Sequence, residues 1–234
     1  MSPAPSIILH QWLISPFCAK VRKALVAKDL AFDTVEYNGL RALEAKRLSA
    51  AGKLPVLDYT PAEGETRRVQ DSTRIIELLE REHPAPSLWP EQPRDRHLAH
   101  LIEDWADEAL FWLEAWFRLM DPAASRKAGE HLAAGRPGWE RVIIQKAGEL
   151  TYKRKLDALG LTKLDESELV AMVRGHLDAV EGLLEGREWL VGERQSIADI
   201  AVAAQLGEFV RTSRFADEIR GRAQLWEWLE RNPG

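Results

Sequence analysis

Four successive residues, Ser15-Pro16-Phe17-Cys18, set a hydroxyl, a helix-starting proline and a thiol where the apolar run Ile7-Ile8-Leu9 gives way to a helical pattern. Ser15 falls at or next to the N-cap and Pro16 at the first helical position, where each residue type is favoured. A helix start offers free N–H groups and a partial positive charge, so an anion seated over it is stabilised. A thiolate is such an anion. With an ordinary thiol pKa near 8.5, only about 3% is ionised at pH 7; lowering it by roughly 2 units, worth about 2.7 kcal/mol, makes the thiolate the majority form. One hydroxyl hydrogen bond plus the helix terminus, each worth about 1 to 2 kcal/mol, is of that size. The same tetrapeptide also makes a plain helix start.

Two further junctions carry polar chemistry. Gly52-Lys53-Leu54-Pro55-Val56-Leu57 puts a proline at the head of a β-rich run. A cis bond there turns the Leu54 N–H and C=O outward to pair with an extended peptide, although an edge-strand proline needs no ligand. Val69-Gln70-Asp71-Ser72 closes the next strand and opens a helix, where Asp71 and Ser72 can help hold a carboxylate or simply cap. His97 and His100 are three apart on a helix but have no third ligand, so no metal site is expected.

Apolar patterning places the secondary structure around these residues. Runs at Ile7 to Leu9, Phe32 to Tyr37, Pro55 to Tyr59 and Thr66 to Gln70 read as strands, with helices over 16–29, 40–50 and 72–83, giving the order βαβ-ββα. Pro84, Pro86, Pro90 and Pro93 mark a linker over 84–93 between a first domain at 1–83 and a second at 94–234. Beyond it, Leu98, Leu101, Ile102, Trp105, Ala109, Trp112, Leu113, Trp116 and Met120 recur at helical steps, predicting one long helix over about 94–120. Leu169 to Leu184 predicts another, and the glycine- and proline-rich stretch from Pro122 to Trp139 an exposed excursion. The second domain is therefore expected to be all-α.

Composition narrows the function classes. Against 32 Lys+Arg stand 37 Asp+Glu, a net charge of -5 without a basic block, which argues against nucleic acid as a partner. A single cysteine excludes an intrachain disulfide and any multi-cysteine zinc site. No stretch is apolar enough to span a bilayer, and the start MSPAPSIILHQWL lacks a basic signal-peptide region, so no membrane contact and a cytoplasmic location are expected.

Taken together, the three junctions resemble the glutathione S-transferase superfamily, with a thioredoxin-like α/β first domain and an all-helical bundle second. The resemblance rests on Ser15-Pro16-Phe17-Cys18 followed by Lys20-Val21-Arg22-Lys23-Ala24-Leu25, on Lys53 to Leu57, and on Gln70-Asp71-Ser72 with Ile75 and Ile76. Leu190-Val191-Gly192 and Ser196-Ile197-Ala198-Asp199-Ile200-Ala201 resemble the family's buried capping box, a structural motif. Ser49-Ala50-Ala51 and Asp71 depart from the family's more frequent Asn-Pro and glutamate.

The resemblance implies that glutathione is the co-substrate and that Ser15 contacts its sulfur. Leu54 would pair with its cysteinyl backbone beside a cis Pro55, Asp71 and Ser72 would hold its γ-glutamyl group, Lys53 would reach its glycine carboxylate, and Phe17 would border it. A small hydrophobic electrophile would lie between the domains, with Trp12, Trp105, Phe111 and Trp112 as candidate lining. A homodimer is implied as well. Ser15 favours a transferase. The alternatives are a thiol reductase or peroxidase working through Cys18, in which the helix start lowers that thiol's pKa, and a binding or interaction protein without turnover.

Overall fold

The computed structural model describes residues 5–234. Four strands, β1 (Ser6–Gln11), β2 (Asp33–Glu36), β3 (Val56–Thr60) and β4 (Arg67–Gln70), form one mixed sheet in the order β2-β1-β3-β4. β1 is parallel to β2 and antiparallel to β3, and β3 is antiparallel to β4. A parallel pair needs a crossover, which α1 (Pro16–Ala27) supplies. The helix expected over 40–50 is shorter: a 3-10 turn (Gly39–Arg41) runs into α2 (Ala42–Ala45). The chain then turns back through Gly52, whose φ of 61 suits glycine and whose N–H donates to Ser49 O at 3.0 Å. α3 (Ser72–Glu82) closes the expected βαβ-ββα order.

Strand periodicity sends alternate side chains to one face. Ile7 and Leu9 of β1 stand opposite Tyr59 and Leu57 of β3, and all four pack on Val21 and Leu25 of α1 and Ile75, Leu78 and Leu79 of α3. A second cluster gathers Cys18, Tyr37, Ala45, Leu54 and Val56, with Trp12 against it, and so joins the start of α1 to the start of β3.

From Pro93 onward the described residues form helices and connecting turns. α4 (Pro93–Trp105) passes through a π-turn (Ala106–Leu110) into α5 (Phe111–Met120), so the long helix expected over 94–120 exists with one irregularity. α6 (Pro122–Leu132) and α7 (Gly138–Ala158) replace the expected excursion over 122–139. The correction has a local cause. Asp121 caps α6 by accepting from the N–H groups of Ala123 and Ala124, Pro122 takes its first position, and Gly129 is tolerated inside it. α8 (Glu166–Leu184), α9 (Ile197–Thr212), α10 (Ala216–Gly221) and α11 (Ala223–Glu230) complete the bundle. α9 is buried along most of its length and packs on α1, and Ala24 and Ile76 join the bundle's own core. No helix among the described residues is long and apolar enough to cross a membrane.

One buried carboxylate fastens this bundle. Asp199 Oδ2 accepts from the Ser196 N–H and hydroxyl, each at 2.9 Å, while Oδ1 accepts from Leu190 N at 2.8 Å and Trp228 Nε1 at 2.9 Å. Burial pushes its pKa up, and these bonds oppose the shift. Replacing Asp199 by alanine would strand several buried donors, each worth about 1–3 kcal/mol. Urea denaturation of Asp199→Ala should show a loss of at least about 3 kcal/mol; a change within experimental error would refute the bracing role.

Candidate functional site

Ser15 is the N-cap of α1. Its backbone is extended (φ -85, ψ 120), Pro16 follows at the first helical position, and its Oγ accepts from the Cys18 N–H at 3.4 Å. Because the oxygen serves there only as an acceptor, the hydroxyl proton is left to donate to an atom placed over the helix start. The side chain is half-buried at the surface of the first unit.

The turn that presents Ser15 is tied down from several sides. Ser15 N donates to Trp12 O at 3.1 Å, and Trp12 Nε1 donates to Tyr37 O at 2.8 Å. Arg22 Nη2 donates to Leu13 O at 3.0 Å, and Nη1 of the buried Arg118 donates to Ile14 O from α5. Trp12, expected toward the electrophile, thus has its indole N–H committed to the scaffold. Arg22 and Arg118 are functional candidates that the sequence did not yield, since nothing local marks an arginine 104 residues away as a partner of this turn.

Cys18 lies one helical turn inside, with no exposed surface, in the cluster with Tyr37 and Leu54. Burial pushes its thiol up to about 11 from 9.0, against the lowering effect of Ser15, Trp12 and Arg22. The reductase or peroxidase alternative needs the helix start to lower this pKa; the direction is the opposite, because removal from water disfavours the thiolate more than the terminus favours it. The position expected of a redox thiol is held by a core side chain.

The other two junctions both pack against α1, one at its first turn and one through Lys20. The Leu54–Pro55 bond is cis, both residues are buried, and Leu54 stands just before the β3–β4 ladder, whose first pair is Val56 with Gln70. Leu54 shares one buried cluster with Cys18, which puts this corner beside the first turn of α1. Lys53 is exposed and, among the described residues, pairs with no carboxylate.

Asp71 is the N-cap of α3 with φ 80, a conformation that costs a non-glycine residue about 1–3 kcal/mol and is typical of sites with a task. Its Oδ1 accepts from Thr73 N at 3.1 Å and Arg74 N at 3.3 Å, while Ser72 is buried at the first helical position. Beneath this corner the fully buried Lys20 of α1 donates to Thr73 Oγ1 at 3.2 Å, to Asp107 Oδ2 at 2.6 Å and to Glu103. Burial raises the Asp107 carboxyl to about 6 even beside this ammonium. The network links α1 and α3 to α4 and the π-turn, joining the two units under the site.

Across the interface runs a chain of rings. Phe17 meets Phe111 at 4.7 Å, and Phe111 meets Trp112 at 4.9 Å and Tyr152 of α7 at 6.2 Å. Tyr152 has its pKa raised by burial, so it stays a neutral donor, and Lys155 Nζ lies 4.9 Å from its ring centre. Tyr152 was missed because α7 lacks an apolar stripe that would mark a face.

Trp105 does not join the chain. It packs on the bundle core and meets His176 of α8 at 5.2 Å. Uniform helical spacing puts Trp105 and Trp112 on one face, but the intervening π-turn carries an extra residue and turns the later positions by about 100°. His97 and His100 line a surface cavity of ≈ 300 Å³ with Trp89 and Arg96, at the start of α4.

With this geometry in hand, comparison with known proteins gives a consistent result. Residues 9–87 match the glutathione S-transferase N-terminal domain, and residues 165–231 match the glutathione S-transferase C-terminal domain. FtsZ-localized protein A of Caulobacter vibrioides is 27% identical over 202 residues, 85% of this chain and 75% of that protein. A glutathione S-transferase of Pseudomonas putida is 29% identical over 134 residues, 54% of this chain and 59% of that protein. Among solved structures, a glutathione S-transferase from Methylobacterium radiotolerans in complex with glutathione sulfonate is similar, with a TM-score of 0.57 and 26% identity. The match covers 97% of this chain and 92% of that one.

A thiol shifted from 9.0 to about 11 holds about a hundredth of the thiolate of a free one at pH 8, before restricted access is counted. Native protein should therefore react with a disulfide reagent such as 5,5′-dithiobis(2-nitrobenzoate) at least about 100-fold more slowly than urea-unfolded protein. Equal rates would return Cys18 to the surface and to redox chemistry.

Proposed function

The chain belongs to the glutathione S-transferase superfamily, and from that premise we propose that it is a glutathione transferase whose Ser15 activates the bound thiol. The observation that carries this is the N-cap geometry of Ser15: its oxygen accepts from the Cys18 N–H, which leaves its O–H to donate at the positive end of α1. The tripeptide would lie across the start of α1. Its cysteinyl backbone would pair with Leu54 beside the cis Pro55, its γ-glutamyl end would meet Asp71 and Ser72, its glycine carboxylate would meet Lys53, and Phe17 would border its thiol. A small hydrophobic electrophile would sit against Phe111 and Trp112, beside Tyr152. Attack forms the sulfur–carbon bond as the leaving group departs with its electron pair. Holding both reactants raises the rate by proximity, and ionising the sulfur raises its reactivity.

A second reading is a glutathione S-transferase-like binding protein without turnover, favoured by the similarity over 85% of the chain to a protein named for localization with FtsZ. Retention on immobilised glutathione separates the two. A folded chain that passes through unbound supports the second reading and removes the first. The reductase reading is disfavoured by the buried, neutral Cys18.

Steady-state conjugation of glutathione to 1-chloro-2,4-dinitrobenzene tests the role of Ser15. Losing a hydrogen bond to an anion costs about 1–2 kcal/mol, so Ser15→Ala should lower kcat/KM about 5- to 30-fold with the circular dichroism spectrum unchanged. Equal activity in the variant would exclude Ser15 as the activating group.

A further inference from the structure

The Ser15 turn is held by two arginines that come from different parts of the chain. Arg22 of α1 holds Leu13 O and completes its fork on Gln11 Oε1. Arg118 of α5 holds Ile14 O, the carbonyl immediately before Ser15. Arg118 is 6% exposed, and its Nη2 lies 3.2 Å from Glu114 Oε2, on a residue that is 1% exposed. Neither oxygen of Glu114 has a hydrogen-bond partner among the described residues. From α9, Glu208 with its partner Arg211 faces this pair, and Tyr152 faces it from α7.

An ion pair of this kind is expensive to bury, and replacing it by apolar residues is often neutral or stabilising, so packing alone gives no reason for it. Burial pushes the Glu114 carboxyl up to about 7 even with Arg118 beside it, in keeping with the 1% exposure of Glu114. Outside its own helix, the hydrogen bond this pair makes is the one to Ile14 O. A charge-assisted bond to that carbonyl fixes the plane of the peptide joining Ile14 to Ser15, and with it the direction of the serine side chain.

We propose that Arg118 is a positioning residue for Ser15, clamping the Ile14 carbonyl from the helical unit with Glu114 as its buried counter-ion. The inference rests on the reading of Ser15 as the group that faces the sulfur. It adds that the serine of the first unit is aimed by a helix of the second, so that docking of the units and readiness of the site are one event.

The test uses the full chain with Arg118→Met, Arg118→Lys and Glu114→Gln, and a core control, Val173→Ala, from the bundle interior. Two readouts are taken: conjugation kinetics, and amide hydrogen exchange at Ser15, Phe17 and Cys18. In Arg118→Met, kcat should fall about tenfold with KM for glutathione within about twofold, because a misaimed group costs rate more than binding. Exchange at Ser15 and Cys18 should rise at least about tenfold relative to the amides of α9. Arg118→Lys, which can still donate to the carbonyl, should recover much of both, and Val173→Ala should leave both near the wild-type values. Should Arg118→Met fail to fold, Glu114→Gln carries the same readouts in a near-isosteric background, with smaller changes in the same directions.

Unchanged kcat and exchange in a folded Arg118→Met or Glu114→Gln would overturn the proposal, as would an equal fall in kcat in Val173→Ala. Absence of turnover in the wild type would instead sink the transferase reading. The exchange measurement would then decide the clamp by itself.

Discussion

The first turn of α1 is where the physics of this protein concentrates. The Phe17 N–H and the Ser15 hydroxyl lie at the open end of this turn, the Cys18 N–H being held by Ser15 itself, and an anion placed there replaces the water those two groups would otherwise need. Most of the polar contacts around it serve to keep that point fixed. Trp12 ties the turn to Tyr37, Arg22 and Arg118 hold successive carbonyls, and Lys20 bolts the helix to α3 and α4. Each bond alone is modest. Together they hold Ser15 without requiring reorganisation when a ligand arrives, which is how fixed dipoles stabilise charge better than mobile water does.

Ser15 and Cys18 share that helix end and receive opposite treatment. The helix terminus is worth about 0.3–1 kcal/mol at a fully exposed site and up to about 2 kcal/mol at a half-buried one such as Ser15. Burial pushes the Cys18 thiol up to about 11, in the direction that keeps its proton, against the lowering effect of Ser15, Trp12 and Arg22. Desolvation wins inside, and the terminus can win only at the surface. On the proposed reading, a substrate sulfur on Ser15 would occupy the surface position, beside a thiol that the chain keeps buried.

Much of the fold was legible in the sequence because its cues are local. Ser15-Pro16, Asp71-Ser72 and Ser196 to Asp199 announce helix starts by residue type and spacing, and the alternation in β1 and β3 announces strands. The hidden features depend on phase or on distance along the chain. A π-turn within a continuous helix leaves the apolar pattern recognisable yet rotates every later position, so Trp105 turned out to face His176 while Trp112 reached the aromatic chain. Glycines over 129–138 suggested a loop, but an Asp121-Pro122 start overrode them. The Arg118 contact with Ile14 spans 104 residues and has no signature in either segment. Tyr152 lies on a helix whose exposed apolar residues hide its one inward ring.

The two units answer different needs. The sheet contributes the cis-proline corner, and the bundle contributes rings and a buried arginine that reach back to the Ser15 turn. The same scaffold can serve a transferase or a binding protein, and the transferase reading requires, beyond retention of glutathione, that the bound sulfur be ionised. That state can be read by titrating the glutathione complex and following thiolate absorbance near 240 nm, with protein and free glutathione as references. The bound thiol should ionise with a midpoint at or below about pH 7, roughly 2 units beneath the free tripeptide. A bound thiol that titrates where the free one does would contradict the account at its centre.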